Sequence, residues 1–252
     1  MKYMGSKNRI AKHLLPIMLA ECEKRGITKW IEPFVGGANM IDKVPDSFER
    51  AGYDNNKYLI DMVTHIQSCG FDYQEEIPKE IYNIVRSAYN ENLNNIDGQN
   101  ILDSYIGWAG FMASANGRFF DGGYSGVSNT KIGTKRDYIS ESVRGLRKQF
   151  PQIQNVKFIC DSYENLDFDG CLIYCDPPYK GTKTYNTSKD FDHDKFFDWC
   201  RLQAKKNIVF VSEYNAPDDF ECVWQQEVQS SLSANGKIGG SKTSIEKLFK
   251  VK

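Results

Sequence analysis

The stretch 171-CLIYCDPPYKGTKTYN-186 couples an apolar run to an abrupt polar corner. Leu172, Ile173, Tyr174 and Cys175 form the continuous apolar pattern of a parallel strand covered on both faces. Asp176 ends the run, and Pro177 and Pro178 follow at once. Each proline fixes its φ and lacks an N–H. The corner therefore offers acceptors, a carboxylate and bare carbonyls, and Tyr179 adds a flat ring. Ligand crevices in α/β sheets lie beyond the carboxyl ends of the strands, which is where Asp176 falls.

An amino group on an aromatic ring suits such a corner. The exocyclic amine of adenine or cytosine has its lone pair delocalised into the ring and is a poor nucleophile. If Asp176 and the Pro177 carbonyl accept its two protons, the nitrogen moves toward tetrahedral geometry and the lone pair is freed. The ring would stack on Tyr179, and a methyl sulfonium held nearby could be attacked in line. That is catalysis by orientation and electrostatics, with no covalent intermediate. The bland alternative is a turn closing a strand, which Asp and Pro both favour.

Two further stretches bear on this reading. In 32-EPFVGGA-38 the glycines allow a ligand close to the backbone, although the G-x-G-x-x-G fingerprint is absent. Asp54 follows Glu32 by 22 positions, at the end of the next expected strand, where acidic residues grip ribose hydroxyls in nucleoside-binding sheets. For Asp54-Asn55-Asn56 alone, an ordinary turn is the competing reading. At the N-terminus, 2-KYMGSK-7 places a glycine-serine turn and a lysine before a helix, a geometry suited to a carboxylate. A frayed terminus is the alternative.

Periodicity fills in the frame. Ile10, Leu14, Ile17 and Met18 predict a helix over 8–24, with a kink or break at Pro16 and Gly26 as C-cap. Strands are expected at 29–34, 49–54, 156–160, 171–175, 207–212, 222–228 and 245–251, with a helix at 193–205. The middle differs: helices are expected over 78–93, 100–113 and 137–150, with a loop at 90–100 and a long glycine-rich loop at 115–135. The chain thus reads as an α/β sheet interrupted by a mostly helical insertion.

Bulk properties narrow the class. The 252 residues are 40% hydrophobic and 26% charged, with a net charge of −1, so a packed core is expected and a strongly basic packaging protein is excluded. The longest basic concentration is 131-KIGTKRDYISESVRGLRKQ-149. No apolar run approaches the roughly 20 residues of a membrane span, and no signal-peptide pattern opens the chain, so a cytoplasmic protein is expected. Seven cysteines without a CxxC pair, and three histidines outside ligand spacing, predict reduced thiols and no structural metal site. Nothing in the sequence sets an oligomeric state.

Taken in order, KYMGSK, EPFVGGA, YDNN, FICDSY and YCDPPY resemble the DNA adenine methylases of the Dam type, the α-group amino-methyltransferases. The likeness covers both ends of the chain; the middle resembles the family in position and in fragments such as NGRFFDGGYSG. The resemblance implies a Rossmann-like methyltransferase sheet built from 1–60 and 151–252, with 61–150 as the target-recognition insertion. It implies S-adenosylmethionine as cofactor and double-stranded DNA as partner, with the target adenine flipped out of the duplex. Tyr3, Gly5 and Lys7 would lie in the N-terminal motif, Lys7 near the methionine carboxylate. Glu32, Pro33, Phe34, Gly36 and Gly37 would line the methionine side. Asp54 and Asn55 would serve the ribose, Asp161 the cofactor adenine amine, and Tyr163 would pack beside it. Asp176, Pro177, Pro178 and Tyr179 would form the catalytic corner.

Asn116, Arg118, Tyr124, Lys131, Lys135 and Arg136 are candidates for DNA contact, against the alternative of solvated or structural side chains. Phe119 and Phe120 would wedge or stack in DNA, or pack the insertion's own core. For Arg144, Arg147 and Lys148 a solvated face is favoured. One departure from the pattern is Ala38, where a glycine is often found. An N4-cytosine methyltransferase more often carries Ser at the corner, and a catalytically inactive DNA-binding relative would not need both Asp54 and Asp176. Both remain the alternatives to N6-adenine transfer.

Overall fold

The computed structural model describes residues 1–93, 95–96, 99–129, 133–179, 191–229 and 243–252. In chain order the elements are α1 (Ala11–Arg25), β1 (Lys29–Glu32), β2 (Glu49–Asp54), α2 (Lys57–Cys69), α3 (Lys79–Asn90), β3 (Asn95–Ile96), β4 (Gln99–Asn100) and α4 (Asp103–Met112). They continue with β5 (Val127–Asn129), β6 (Lys135–Asp137), α5 (Tyr138–Ile153), β7 (Lys157–Cys160), β8 (Leu172–Cys175), α6 (His193–Ala204), β9 (Ile208–Glu213), β10 (Phe220–Gln229) and β11 (Thr243–Val251).

A seven-stranded sheet runs in the order β10-β11-β9-β8-β1-β2-β7. The five strands from β9 to β7 are parallel, while β11 and β10 add antiparallel at one edge. The chain lays β1, β2 and β7 outward in one direction, then returns to place β8 and β9 on the other side of β1. The order therefore reverses between β1 and β8, and the crevice of such a sheet lies at that switch point.

Alternation along the strands explains the two packed faces. Trp30, Leu172, Tyr174 and Phe210 point to one face, where Leu14, Met18 and Cys22 of α1 meet them. Ile31, Ile173, Val209 and Val211 point to the other, under Phe196 and Cys200 of α6. The middle of the chain has no separate core: Tyr82, Trp108, Phe111 and Val143 belong to the same cluster as Trp30.

Four sequence expectations need correcting. α1 runs unbroken through Pro16, because Leu14, Met18 and Cys22 are buried on both sides of it and Pro16 itself is exposed. Solvent can serve the Lys12 carbonyl that lacks its helical donor. The expected loop at 90–100 contains the short antiparallel pair β3–β4, and the expected loop at 115–135 contains a turn at 115–117 and the hairpin pair β5–β6. The strand expected at 29–34 stops at Glu32, before Pro33. Gly26 caps α1 in the left-handed region as expected, with φ 66°.

α4 lies very close to α2. A Cβ on Gly107 would fall 2.0 Å from the Tyr58 carbonyl oxygen, a backbone atom that cannot rotate away. Gly107→Ala should therefore destabilise the protein by about 1–3 kcal/mol through forced separation of α2 and α4. Thermal unfolding checks this, and a Tm matching the parent would contradict it.

Candidate active site

The parallel strands deliver acidic residues to one edge of the sheet. Glu32 ends β1, Asp54 ends β2, Asp161 follows β7, Asp176 follows β8 and Glu213 ends β9. Each solves the cost of a buried carboxylate differently. Glu32 is 2% exposed and accepts a hydrogen bond from Trp30 Nε1 at 2.9 Å. Burial pushes its carboxyl well above the ordinary range, aided by the charges of Asp42 and Asp176.

Asp54 is fixed by backbone. Its Oδ2 accepts from Gly36 N–H at 3.0 Å and its Oδ1 from Asn56 N–H at 3.0 Å. Burial still raises its carboxyl, opposed by those two bonds. Asn56 in turn caps α2, accepting from Tyr58 N–H at 3.1 Å and Leu59 N–H at 3.3 Å. Asp161 accepts from Ser162 N–H at 2.7 Å and from Asn165 Nδ2 at 2.9 Å, while its own N–H donates to the Asp54 carbonyl at 3.1 Å.

The glycine turn after β1 is gripped from two sides. Gly36 has φ 47°, and a Cβ there would lie 2.8 Å from Tyr3 Cε1; a Cβ on Gly37 would lie 2.6 Å from Tyr3 Cβ. The N-terminal motif thus lies across the turn. From α5, buried Gln149 donates through Nε2 to the carbonyls of Gly37 (3.1 Å) and Ala38 (2.9 Å) and to Asp42 Oδ2 (2.9 Å). Ala38 itself has φ 54°. That left-handed conformation is the physical reason a glycine suits this position.

The corner after β8 is the most charged part of the site. Lys7 Nζ is 2.9 Å from Asp176 Oδ1, 4.5 Å from the centre of the Tyr179 ring and 3.9 Å from Glu246 Oε2. Tyr179 donates its hydroxyl to Glu246 Oε2 at 2.9 Å and meets Tyr214 edge to face at 4.7 Å. Burial raises the Asp176 carboxyl, and the Lys7 ammonium pulls it back; the net direction is up. Burial pulls Lys7 down, but Asp176 and Glu246 outweigh it and raise the ammonium.

These groups share one cleft of about 1840 Å³. Every position assigned from sequence to catalysis or cofactor lines it, from Tyr3, Gly5 and Lys7 through Glu32–Gly37, Asp54, Asn55, Asp161 and Tyr163 to Asp176–Tyr179. The ammonium of Lys7, the residue that the resemblance puts near the methionine carboxylate, lies on Asp176 and Tyr179. Tyr163 is buried between Phe34 and Trp199.

The DNA candidates divide. Asn116 lines the cleft. Arg118 is half-buried, and Lys135 is exposed on β6. Arg136 makes a double hydrogen bond to Glu141, at 2.6 and 2.8 Å, and lies over the Tyr138 ring. Tyr124 donates its hydroxyl to the Ile77 carbonyl at 2.8 Å and packs on Tyr82, inside the insertion. Phe119 and Phe120 pack on each other and on Tyr89. Arg147 pairs with Glu75, and Arg144 and Lys148 are exposed. Lys131 lies outside the described residues. Sequence reasoning missed Gln149, Tyr214 and Glu246, which are distant along the chain and belong to no motif.

Among the described residues no group of three or more His, Cys, Asp or Glu side chains is arranged to hold a metal ion, and no helix is long and apolar enough to cross a membrane.

A mostly parallel sheet with an antiparallel edge pair and an acidic cleft at its switch point defines a Rossmann-like methyltransferase fold. The chain is similar to the Type II methyltransferase M.MjaIII of Methanocaldococcus jannaschii, 25% identical over 223 residues that cover 77% of this chain and 75% of the relative. No family model matches the chain.

Gly36→Ala should release the N-terminal motif, since it adds a methyl against the Tyr3 ring and strains a positive φ by on the order of 1 kcal/mol. Trypsin should then cut faster at Lys2, Lys7 and Arg9. Unchanged cutting rates would show that Tyr3 is not held by the turn.

Proposed function

We propose that the chain is a DNA methyltransferase that uses S-adenosylmethionine to methylate the N6 amine of an adenine flipped out of double-stranded DNA. The relative supports methyl transfer. The observation that carries the finer reading is the corner itself: at the end of β8 an acceptor carboxylate, two prolines and a tyrosine face already hold a nitrogen that bears several protons, the Lys7 ammonium.

The residues fit the cofactor's chemistry. The Asp54 carboxylate is held by two backbone N–H groups and keeps acceptor capacity for ribose hydroxyls. Asp161, one strand further out, suits an aromatic amine. The glycine turn and Gly5 present backbone to the methionine portion. When bound, S-adenosylmethionine supplies an electrophilic methyl group on a sulfonium.

The chain's own residues do the rest. Asp176 and the Pro177 carbonyl accept the two N6 protons and draw the nitrogen's lone pair out of the ring. Tyr179 stacks on the base, its plane fixed by the hydroxyl bond to Glu246 and the edge contact with Tyr214. Burial pushes the Glu32 carboxyl up, which disfavours a second negative charge beside Asp176. The nitrogen that gains a carbon must shed a proton, and Asp176 is the acceptor in contact with it. Residues 61–150 form the insertion that reads DNA, with Asn116 at the cleft and Arg118, Lys135 and Arg136 toward the phosphates.

Expression in methylation-free cells followed by methylation-aware sequencing tests the reading. N6-methyladenine at a fixed motif is expected. N4-methylcytosine would establish the rival base, and unmodified DNA would refute both. Asp176→Ala should retain cofactor binding and lose transfer by about 10³-fold or more; full activity in that variant would remove Asp176 from the mechanism.

The acid limb of transfer should lie above the ordinary carboxylate range. Burial raises the folded-state pKa of Asp176, the ionised form is the acceptor, and activity is lost as pH falls through that raised value. A pH profile of kcat/KM checks this.

A further inference from the structure

We propose that Lys7 is the resident occupant of the target-base seat, a stand-in for the base's amine that leaves before the base enters. The inference rests on the reading above, in which Asp176 receives the amine and Tyr179 the ring.

Both of those partners are taken. The ammonium lies 2.9 Å from Asp176 Oδ1 and 4.5 Å over the Tyr179 ring, and the residue is only 9% exposed. A base stacked on that face of Tyr179, with its amine on Asp176, would claim the same volume. The two occupants therefore exclude each other. They also resemble each other chemically, because each presents protons on nitrogen to the same carboxylate.

The backbone of Lys7 is fixed. Its carbonyl accepts from the N–H groups of Ile10 and Ala11 at 3.0 and 2.8 Å, at the entrance to α1. Only the side chain needs to move, and its four-carbon stem allows this. A second carboxylate waits nearby: Glu246 Oε2, on β11, is 3.9 Å from the ammonium and already anchors Tyr179. Rotation away from Asp176 toward Glu246 would clear the ring while keeping the charge partnered.

The stand-in has two consequences. It keeps a charge beside Asp176 in the DNA-free protein, where burial and Glu246 act against ionisation. It also sets a condition for entry. A base with an amine replaces the contact that Lys7 gives up at Asp176, whereas a base presenting a carbonyl would set acceptor against acceptor there. Lys7 thereby contributes to base selection without touching the reacting atoms, as a positioning residue.

The test separates free enzyme from complex, since kcat/KM reports ionisations of the free enzyme and kcat those of the bound state. Both are measured against pH with a duplex carrying the sequence methylated in cells, at saturating S-adenosylmethionine. The groups facing Asp176 are Lys7, Glu32 of β1, Tyr174 of β8, Tyr179 and Glu246 of β11, with Tyr214 facing Lys7. Of these only Lys7 changes in the variants. Lys7→Met should move the acid limb of kcat/KM up by about one pH unit or more and leave the limb of kcat in place. Lys7→Arg, which keeps the charge, should restore the kcat/KM limb.

If both limbs move in Lys7→Met, Lys7 stays on Asp176 during chemistry and the proposal fails. If neither moves, the pair has no bearing on the site and the proposal fails equally. Should Lys7→Met not fold, nitrogen-15 NMR of the wild-type lysine ammonium groups gives the same decision. The Lys7 signal, assigned with Lys7→Arg, should be protected in the free protein and lose that protection on saturation with the duplex; a signal unchanged by the duplex overturns the displacement. A wild type that methylates no DNA would instead sink the functional reading itself, and this inference with it.

Discussion

The parallel strands of this sheet end together, and their carboxyl ends carry acids. Five acidic side chains meet one edge of the sheet, and bringing such groups out of water is costly unless each finds a partner or a proton. Much of the site's architecture follows from that constraint. Glu32 is buried against the Trp30 indole, which donates to it, Asp54 and Asp161 take backbone N–H groups from neighbouring turns, and Asp176 takes an ammonium. The three modes leave three chemical characters: a carboxyl pushed toward its protonated form, acceptors fixed by backbone, and an acceptor paired with a side-chain ammonium. A nucleoside-bearing cofactor suits the fixed acceptors.

The same constraint explains how much could be read from the sequence. Asp54, Asp161 and Asp176 were legible because each closes an apolar strand, and a strand's end is marked in one dimension. The sheet was legible for the same reason: 171-CLIYC-175 and 207-NIVFVS-212 are apolar without interruption, as two-sided burial requires. Glu246 was not. Its role comes from β11 folding antiparallel onto β9, which brings it to Tyr179 from 67 positions away. Gln149 reads as one polar residue in a helix, yet the turn it meets makes it the clamp of the glycine loop.

Pro16 and the long loop were misjudged through local rules. A proline inside a helix costs about 3 kcal/mol or more when its neighbours cannot compensate. Here the buried stripe Leu14–Met18–Cys22 spans it, and burial of that stripe outweighs the lost bond. In 115–135 the glycines serve compact turns rather than open chain. Gly117 has φ 64°, and a Cβ there would fall 2.2 Å from the Lys2 carbonyl oxygen. The segment folds against the N-terminal motif, a partner that no local pattern announces.

That contact joins the middle of the chain to the cleft. Lys2 pairs with Glu141 of α5 at 3.3 Å, and Glu141 is also the partner of Arg136 on β6. Lys2 and Arg136 both lie over the Tyr138 ring. Five residues further along the chain, Lys7 occupies the corner. The N-terminal motif is thus held at Lys2 by α5, at Tyr3 by the glycine turn and at Lys7 by Asp176, so it spans the distance between the hairpin and the corner after β8. Ion pairs among exposed side chains are weak individually, and Arg136–Glu141–Lys2 gains its importance from position. It is the place where the hairpin, the last helix of the insertion and the motif carrying Lys7 share one set of charges.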